Sequence, residues 1–209
     1  MEEPNGLVPN IVIDSPKLIL ASASPRRAEI LRTVGWPFES LPVDIDESRH
    51  TNEDAAAYVQ RLALEKAEAA AMRRSAAGFI VAADTVVAIN GEVLCKPCDA
   101  DDARRMLRLL SANWHQVLTG VAVLNGGLST PTVACEITEV KFAKLSDDEI
   151  YWYVATGEPM DKAGAYAIQG LGARFVEGIK GDYYNVVGLP VRLLYELFSE
   201  AKSKEVSKS

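Results

Sequence analysis

Apolar and polar positions along the chain switch repeatedly between a period of two and a period near 3.6, which predicts strands and helices in alternation. Leu18-Ile19-Leu20-Ala21 is a short unbroken apolar run, the mark of a buried strand. Residues 25–34 then read as a helix, with Ser24 as its N-cap and Pro25 at the first helical position. A longer helical stretch covers 54–74 and opens on Asp54 as N-cap. Phe79 to Ile89 is rich in apolar and β-branched residues, and Asn90-Gly91 is a strong hairpin signal before a strand from Glu92 to Cys95. A two-residue turn there sets Ile89 opposite Glu92 and Thr85 opposite Lys96. That register brings Lys96 to the same end of the ribbon as Asp84.

A helix is predicted over 100–110, and strands over 117–124 and 132–143 flank Asn125-Gly126-Gly127 as a second hairpin. Ser146 to Ala155 is helical, with a capping box formed by Ser146 and Glu149. The closing helix starts at Pro190 and carries Val191, Leu194, Tyr195 and Phe198 at the spacing of a core-facing stripe. Hairpins mixed with crossover helices imply one α/β domain built on a mixed sheet. Its expected extent is 17–202, between a loose leader at 1–16 and a polar tail at 203–209.

Composition narrows the function classes. A chain of 209 residues with 48% hydrophobic and 24% charged residues can bury a core without disulfide staples. The net charge of −7 argues against binding polymeric nucleic acid, although a few local cations suffice for a small anion. Three cysteines make no disulfide framework. No apolar run approaches the ~20 residues of a membrane span, and the acidic N-terminus lacks a signal or transit pattern. The expected location is cytoplasmic, with no membrane partner.

Candidate chemistry lies where local patterning breaks. Arg26 and Arg27 follow a strand end and a small-residue turn, and fall in the first helical turn beside the positive end of the helix dipole. Free backbone N–H groups with two guanidinium forks suit a phosphate better than two solvated arginines, one pairing Glu29, would explain. Asp84, with Thr85, interrupts a buried strand, and a carboxylate there costs several kcal/mol unless paired or bound to metal. Lys66 interrupts the apolar stripe of its helix after Val59 and Leu62; snorkelling along that face is the plain alternative. Asp44-Ile45-Asp46-Glu47 is an acidic cluster whose oxygens suit Mg²⁺ or Mn²⁺ beside a triphosphate. Two glycine-rich segments, 161–172 and 181–190, read as loops that permit close approach to a ligand. Cys95-Lys96-Pro97-Cys98 has thiol–disulfide spacing, but with only Cys135, His50 and His115 left over it makes a poor zinc site.

Taken together, Leu20-Ala21-Ser22-Ala23-Ser24-Pro25-Arg26-Arg27, Ala83-Asp84-Thr85-Val86-Val87, Lys96-Pro97, Lys162-Ala163-Gly164-Ala165-Tyr166, Ile168-Gln169-Gly170 and Asn185-Val186-Val187-Gly188-Leu189-Pro190 form an ordered series. The series resembles the Maf family of nucleoside triphosphate pyrophosphatases, from about Lys17 to Phe198. Arg26, Thr85 and Gln169 are similar to the branch acting on dTTP and UTP. The resemblance implies an elongated domain whose mixed, twisted sheet is flanked by helices around a central nucleotide cleft. It also implies a homodimer and a divalent cation, Mg²⁺ or Mn²⁺. Catalytic roles would fall to Asp84, Lys96 and Glu47, with metal at Glu47 or Asp84; which of the two touches it stays open. Substrate contacts would fall to Ser24, Arg26, Arg27, Lys66, Thr85, Lys162 and Gln169. One Gln amide can meet both the acceptor and the N–H donor of uracil or thymine. The segment 111–115 departs from the family pattern and takes no role, and neither Cys95 nor Cys98 is a family feature. Two other classes compete: a nucleotide-sensing regulator without turnover, and a Cys95/Cys98 thiol–disulfide oxidoreductase.

Overall fold

The computed structural model of the protein describes residues 18–74, 78–125 and 130–206, with 204–206 by backbone alone. The leader at 1–16 and the hairpin tip at Gly126-Gly127 lie outside these. In chain order the elements are β1 (Leu18–Leu20), α1 (Pro25–Thr33), β2 (Phe38–Ser40), α2 (Ala55–Arg73), β3 (Phe79–Ile89), β4 (Glu92–Leu94) and α3 (Ala100–Leu110). They continue with β5 (Trp114–Asn125), β6 (Thr132–Phe142), α4 (Asp147–Ala155), β7 (Val176–Lys180), α5 (Tyr183–Val187) and α6 (Val191–Val206). Three short 3₁₀ turns lie between α4 and β7.

The strands form one seven-stranded mixed sheet in the order β2-β1-β3-β5-β6-β7, with β4 also on β3. β1 runs parallel to both β2 and β3, and the remaining pairs are antiparallel. This is the mixed α/β sheet that alternating hairpins and crossovers predict. Ile89 pairs Glu92, the register set by the Asn90-Gly91 turn.

Strand β3 is longer than either neighbour on one of its edges. β1 pairs with it only at Phe79–Val81, and β4 only at Val87–Ile89. Between these, Asp84 and Thr85 stand at a gap in the sheet. The chain leaving β1 at Ala21–Ser24 and the chain leaving β4 at Cys95–Lys96 both come to that gap. A break of this kind at strand ends is where open α/β sheets make clefts.

Helix α2 covers one face. Its Ala63, Ala67 and Ala70 pack on Ile19, Ile80, Ala82 and Ala122, and Tyr58, Val59 and Leu62 pack on Val86 and Leu118. Side chains this small let the helix lie close to the sheet, and Gly120 of β5 carries the approach further. A Cβ there would stand 2.2 Å from the Val59 carbonyl oxygen. The opposite face buries the larger core with α1, α3, α4 and α6.

Several local expectations need correction. Tyr195 does not join the core stripe of α6; it is half exposed, and Leu197 and Ala201 are buried beside Leu194 instead. The segment 181–190 is not all loop. Asp182 accepts from the Tyr184 N–H at 2.7 Å and caps the short α5. Helix α6 continues to Val206, into the expected polar tail. The caps at Asp54 and at Ser146 with Glu149 form as patterned. Ser24 occupies the N-cap position of α1 but makes no side-chain cap. Its own N–H donates instead to Ser22 Oγ at 3.1 Å.

Candidate active site

The gap in the sheet opens into a cleft of about 490 Å³. All ten residues assigned roles from sequence line it: Ser24, Arg26, Arg27, Glu47, Lys66, Asp84, Thr85, Lys96, Lys162 and Gln169. Its charged lining among the described residues is Arg26, Arg27, Lys66, Lys96 and Lys162 against Glu47, Asp84 and Asp161. Five cations meet three carboxylates, a local positive surplus in a chain of net charge −7. Such a surplus in a concave wall draws an anion.

Asp84 projects from β3 toward α2. The Lys66 ammonium meets Asp84 Oδ1 and Glu47 Oε1, each at 2.6 Å. Lys66 therefore does not snorkel to bulk water; it is a nearly buried cation bridging two carboxylates. Burial works to raise the Glu47 carboxyl, but the Lys66 hydrogen bond and nearby Lys96 and Arg27 outweigh it and hold it below the ordinary range. The Tyr58 hydroxyl donates to the Glu47 carbonyl at 2.6 Å and fixes that loop over the cleft. Of the acidic cluster only Glu47 lines the cleft; Asp46 accepts from the Ser48 N–H at 2.9 Å.

Arg27 is half-buried and held in protein contacts rather than free. Nε donates to the Gly188 carbonyl at 2.8 Å, Nη1 to Ser22 Oγ at 3.2 Å and Nη2 to Thr85 Oγ1 at 3.0 Å. Burial lowers its guanidinium, opposed by the nearby Asp84 charge. The Thr119 hydroxyl donates to the Asn185 carbonyl at 3.2 Å, so it must accept from Thr85 at 2.9 Å. Thr85 then accepts from Arg27. One directed chain links α1, β3, β5 and α5, and it leaves two of Arg27's five donors for a ligand.

The opposite wall comes from the turns after α4. Arg26 donates to Asp161 Oδ2 at 3.1 Å and to its carbonyl at 3.4 Å. Lys162 pairs with the same carboxylate and donates to the Glu158 carbonyl at 3.0 Å. Gln169 is exposed at the rim. Lys96 also lines the cleft, and its charge acts on Glu47.

Sequence reasoning missed Ser22, Asp161, Glu158 and Gly188. Polar residues in a loop carry no anomaly to notice. Ser22 and Gly188 stand out only as members of the first and last of the six family-like segments.

The cysteines lack what a reactive thiol needs. Cys95 and Cys98 are free, and burial pushes both thiols up, so neither is activated as a thiolate. Among the described residues, no three His, Cys, Asp or Glu side chains form a metal cluster. Glu47 and Asp84 do share one cation position, filled by the Lys66 ammonium. Two hard oxygens of this kind fit Mg²⁺ or Mn²⁺ if phosphate oxygens complete the shell.

Fold and cleft together define an α/β protein with a cationic cleft at a break in its sheet. The chain belongs to the Maf family: the model of the family described as Maf-like protein matches residues 17–201. It is 50% identical over 184 residues to a dTTP/UTP pyrophosphatase of Symbiobacterium thermophilum, covering 88% of this chain and 93% of that one. A dTTP/UTP pyrophosphatase of an Anaeromyxobacter species is 52% identical, with 88% and 89% covered. The solved Ham1 protein of Staphylococcus aureus overlays with a TM-score of 0.46 at 14% identity, covering 77% of this chain and 79% of that one. Among the described residues no helix is long and apolar enough to cross a membrane.

Proposed function

We propose that this protein hydrolyses dTTP and UTP to the nucleoside monophosphate and pyrophosphate. The observation that carries the reading is the cleft lining: five cations beside two carboxylates that converge on one ammonium. Relatives near 50% identity that carry this activity in their names support the choice of substrate.

Arg26, Arg27, Lys66, Lys96 and Lys162 clamp the triphosphate and stabilise charge moving to the departing pyrophosphate. Asp84 Oδ1 is engaged by Lys66, which leaves Oδ2 to take the proton of the attacking water as it meets the α-phosphorus. A Mg²⁺ or Mn²⁺ bound by Glu47, Asp84 and phosphate oxygens would supply charge neutralisation and a more acidic water. Ser24 leaves the first N–H groups of α1 open toward phosphate because its side chain does not cap them. Gln169 meets the pyrimidine edge. A homodimer, implied by family resemblance, belongs to the same proposal and is read by sedimentation.

The test is pyrophosphate release from dTTP, UTP, CTP, ATP and GTP, with Mg²⁺ or Mn²⁺ and with chelator, for wild type and Asp84→Asn. Metal-dependent release from dTTP and UTP but not from purines is expected. Asp84→Asn should lose at least ~10²-fold in turnover while still binding nucleotide. Silence across the panel would favour a nucleotide-sensing regulator, and normal turnover in Asp84→Asn would remove Asp84 as the base.

A further inference from the structure

Glu158 stands behind the cleft wall and does not line the cleft. It follows Gly157, whose φ of 77° turns the chain out of α4 into the first 3₁₀ turn. Its carboxylate points inward and accepts three hydrogen bonds. Oε1 takes the Tyr153 hydroxyl at 2.8 Å and the Gly172 N–H at 3.0 Å, and Oε2 takes the Leu171 N–H at 3.0 Å. Tyr153 in turn accepts the Ala167 N–H at 3.2 Å through the same hydroxyl. Gly170 has φ of 85°, and a Cβ there would stand 2.7 Å from Glu158 Oε2. Burial would raise this carboxyl, but the two backbone N–H groups and the Tyr153 hydroxyl hold it below its ordinary range.

The segment 167–172 is thus pinned at both ends, at Ala167 through Tyr153 and at Leu171 and Gly172 through Glu158. Between the pins lie Ile168 and Gln169, both on the cleft wall. Uracil presents an N–H donor beside a carbonyl acceptor, and cytosine presents the reverse pattern along the same edge. A primary amide satisfies either by a half-turn about its last bond. Gln169 has no hydrogen bond among the described residues to lock that turn. Telling the two bases apart therefore needs groups that cannot rotate, and the backbone of this loop is such a group.

Resting on the reading of the cleft as a pyrimidine triphosphate site, we propose that Glu158 is a positioning residue for base selection. With Tyr153 it holds the 167–172 loop in the one arrangement whose fixed backbone favours uracil and thymine over cytosine. It touches no substrate.

The experiment compares kcat and KM for UTP and CTP in wild type, Glu158→Gln and Tyr153→Phe. Gln keeps the volume of Glu158 but sets an N–H group against a backbone N–H, which frees the loop exit. Phe keeps the ring of Tyr153 but removes the acceptor for Ala167, which frees the loop entry. If one variant fails to fold, the other still decides. A roughly tenfold fall in the UTP-over-CTP ratio of kcat/KM is expected in each, of the size that a lost hydrogen-bond match gives. The loss should appear in KM for UTP, with kcat for UTP changed less than about threefold. A uniform fall in kcat for both nucleotides, with the ratio intact, would show a merely structural role and overturn the proposal. A wild type that turns over UTP and CTP equally well would also overturn it. A wild type that releases pyrophosphate from neither defeats the reading of the site itself, which separates the two failures.

Discussion

At Lys66 one side chain carries both packing and chemistry. Its position after Val59 and Leu62 shows that something interrupts an apolar stripe, but a sequence cannot say what waits opposite. The answer is two carboxylates at 2.6 Å, Asp84 from β3 and Glu47 from the loop ahead of α2. Asp84 was legible because a charge within a buried strand needs an explanation. Asp161 and Glu158 were not, because acidic residues in turns usually need none.

His115 makes the residue-scale case for burial acting on a titration. It is 2% exposed in β5, with Nε2 2.8 Å from the Tyr166 hydroxyl and Nδ1 without a partner among the described residues. Phe142 and Tyr166 meet its ring edge to face. Burial lowers its pKa from the usual 6.5 to about 4. The folded protein holds the ring neutral while the unfolded chain takes a proton first. The stabilisation from this site is therefore full above about 6.5 and is lost as pH falls toward about 4. Wild type should lose on the order of 3 kcal/mol across that window that His115→Phe does not lose. Urea midpoints at pH 7, 5.5 and 4 read the difference, and parallel curves for the two proteins would refute it.

At the scale of elements, the parts with strong periodicity were legible and the short ones were not. Helix α2 and strand β3 run through several periods of their pattern, and the Asn90-Gly91 turn sets the register of the β3–β4 hairpin directly. Strands β2 and β7 are short and contain no fully buried residue, so neither shows a run or an alternation worth reading. Helix α5 is a single turn between glycines, made visible only by the Asp182 cap. Tertiary contact, not local preference, forms all three.

Gly120 shows how one position sets the distance between two elements. It pairs with Asp84 across the ladder and lies under the Val59 backbone of α2. A Cβ there would sit 2.2 Å from a carbonyl oxygen and 2.4 Å from its carbon, and helix backbone has no rotamer with which to retreat. Gly120→Ala should destabilise the fold by about 2–3 kcal/mol and lower Tm by roughly 5–10 °C. Because α2 carries Lys66 to Asp84, turnover of the remaining folded protein should fall as well. Calorimetry beside a turnover assay at a temperature below both transitions measures each effect. An unchanged Tm would mean that α2 can lift from the sheet at no cost.

For the whole molecule, the order of strands places the chemistry. β1 and β4 share one edge of β3 and part between Val81 and Val87, so two chain segments and two carboxylate-bearing elements reach one gap. The alternation of patterns was enough to expect a mixed sheet, yet not which strands neighbour which, because pairing order depends on contacts far apart in sequence. The same arrangement separates folding from any cation the reaction uses. Lys66 already neutralises Glu47 and Asp84 from within the fold, and the apolar layers on both faces of the sheet do not pass through these groups. Removing divalent cation should therefore abolish turnover and leave thermal stability in place, with Tm shifted by no more than about 1 °C when EDTA is added without nucleotide. Nucleotide and metal together, at about a hundred times the dissociation constant, should raise Tm by roughly 5–10 °C through binding to the folded state alone. A drop of several degrees on chelation would instead assign the cation a structural place, and Lys66 would then not be the charge that holds the two carboxylates together.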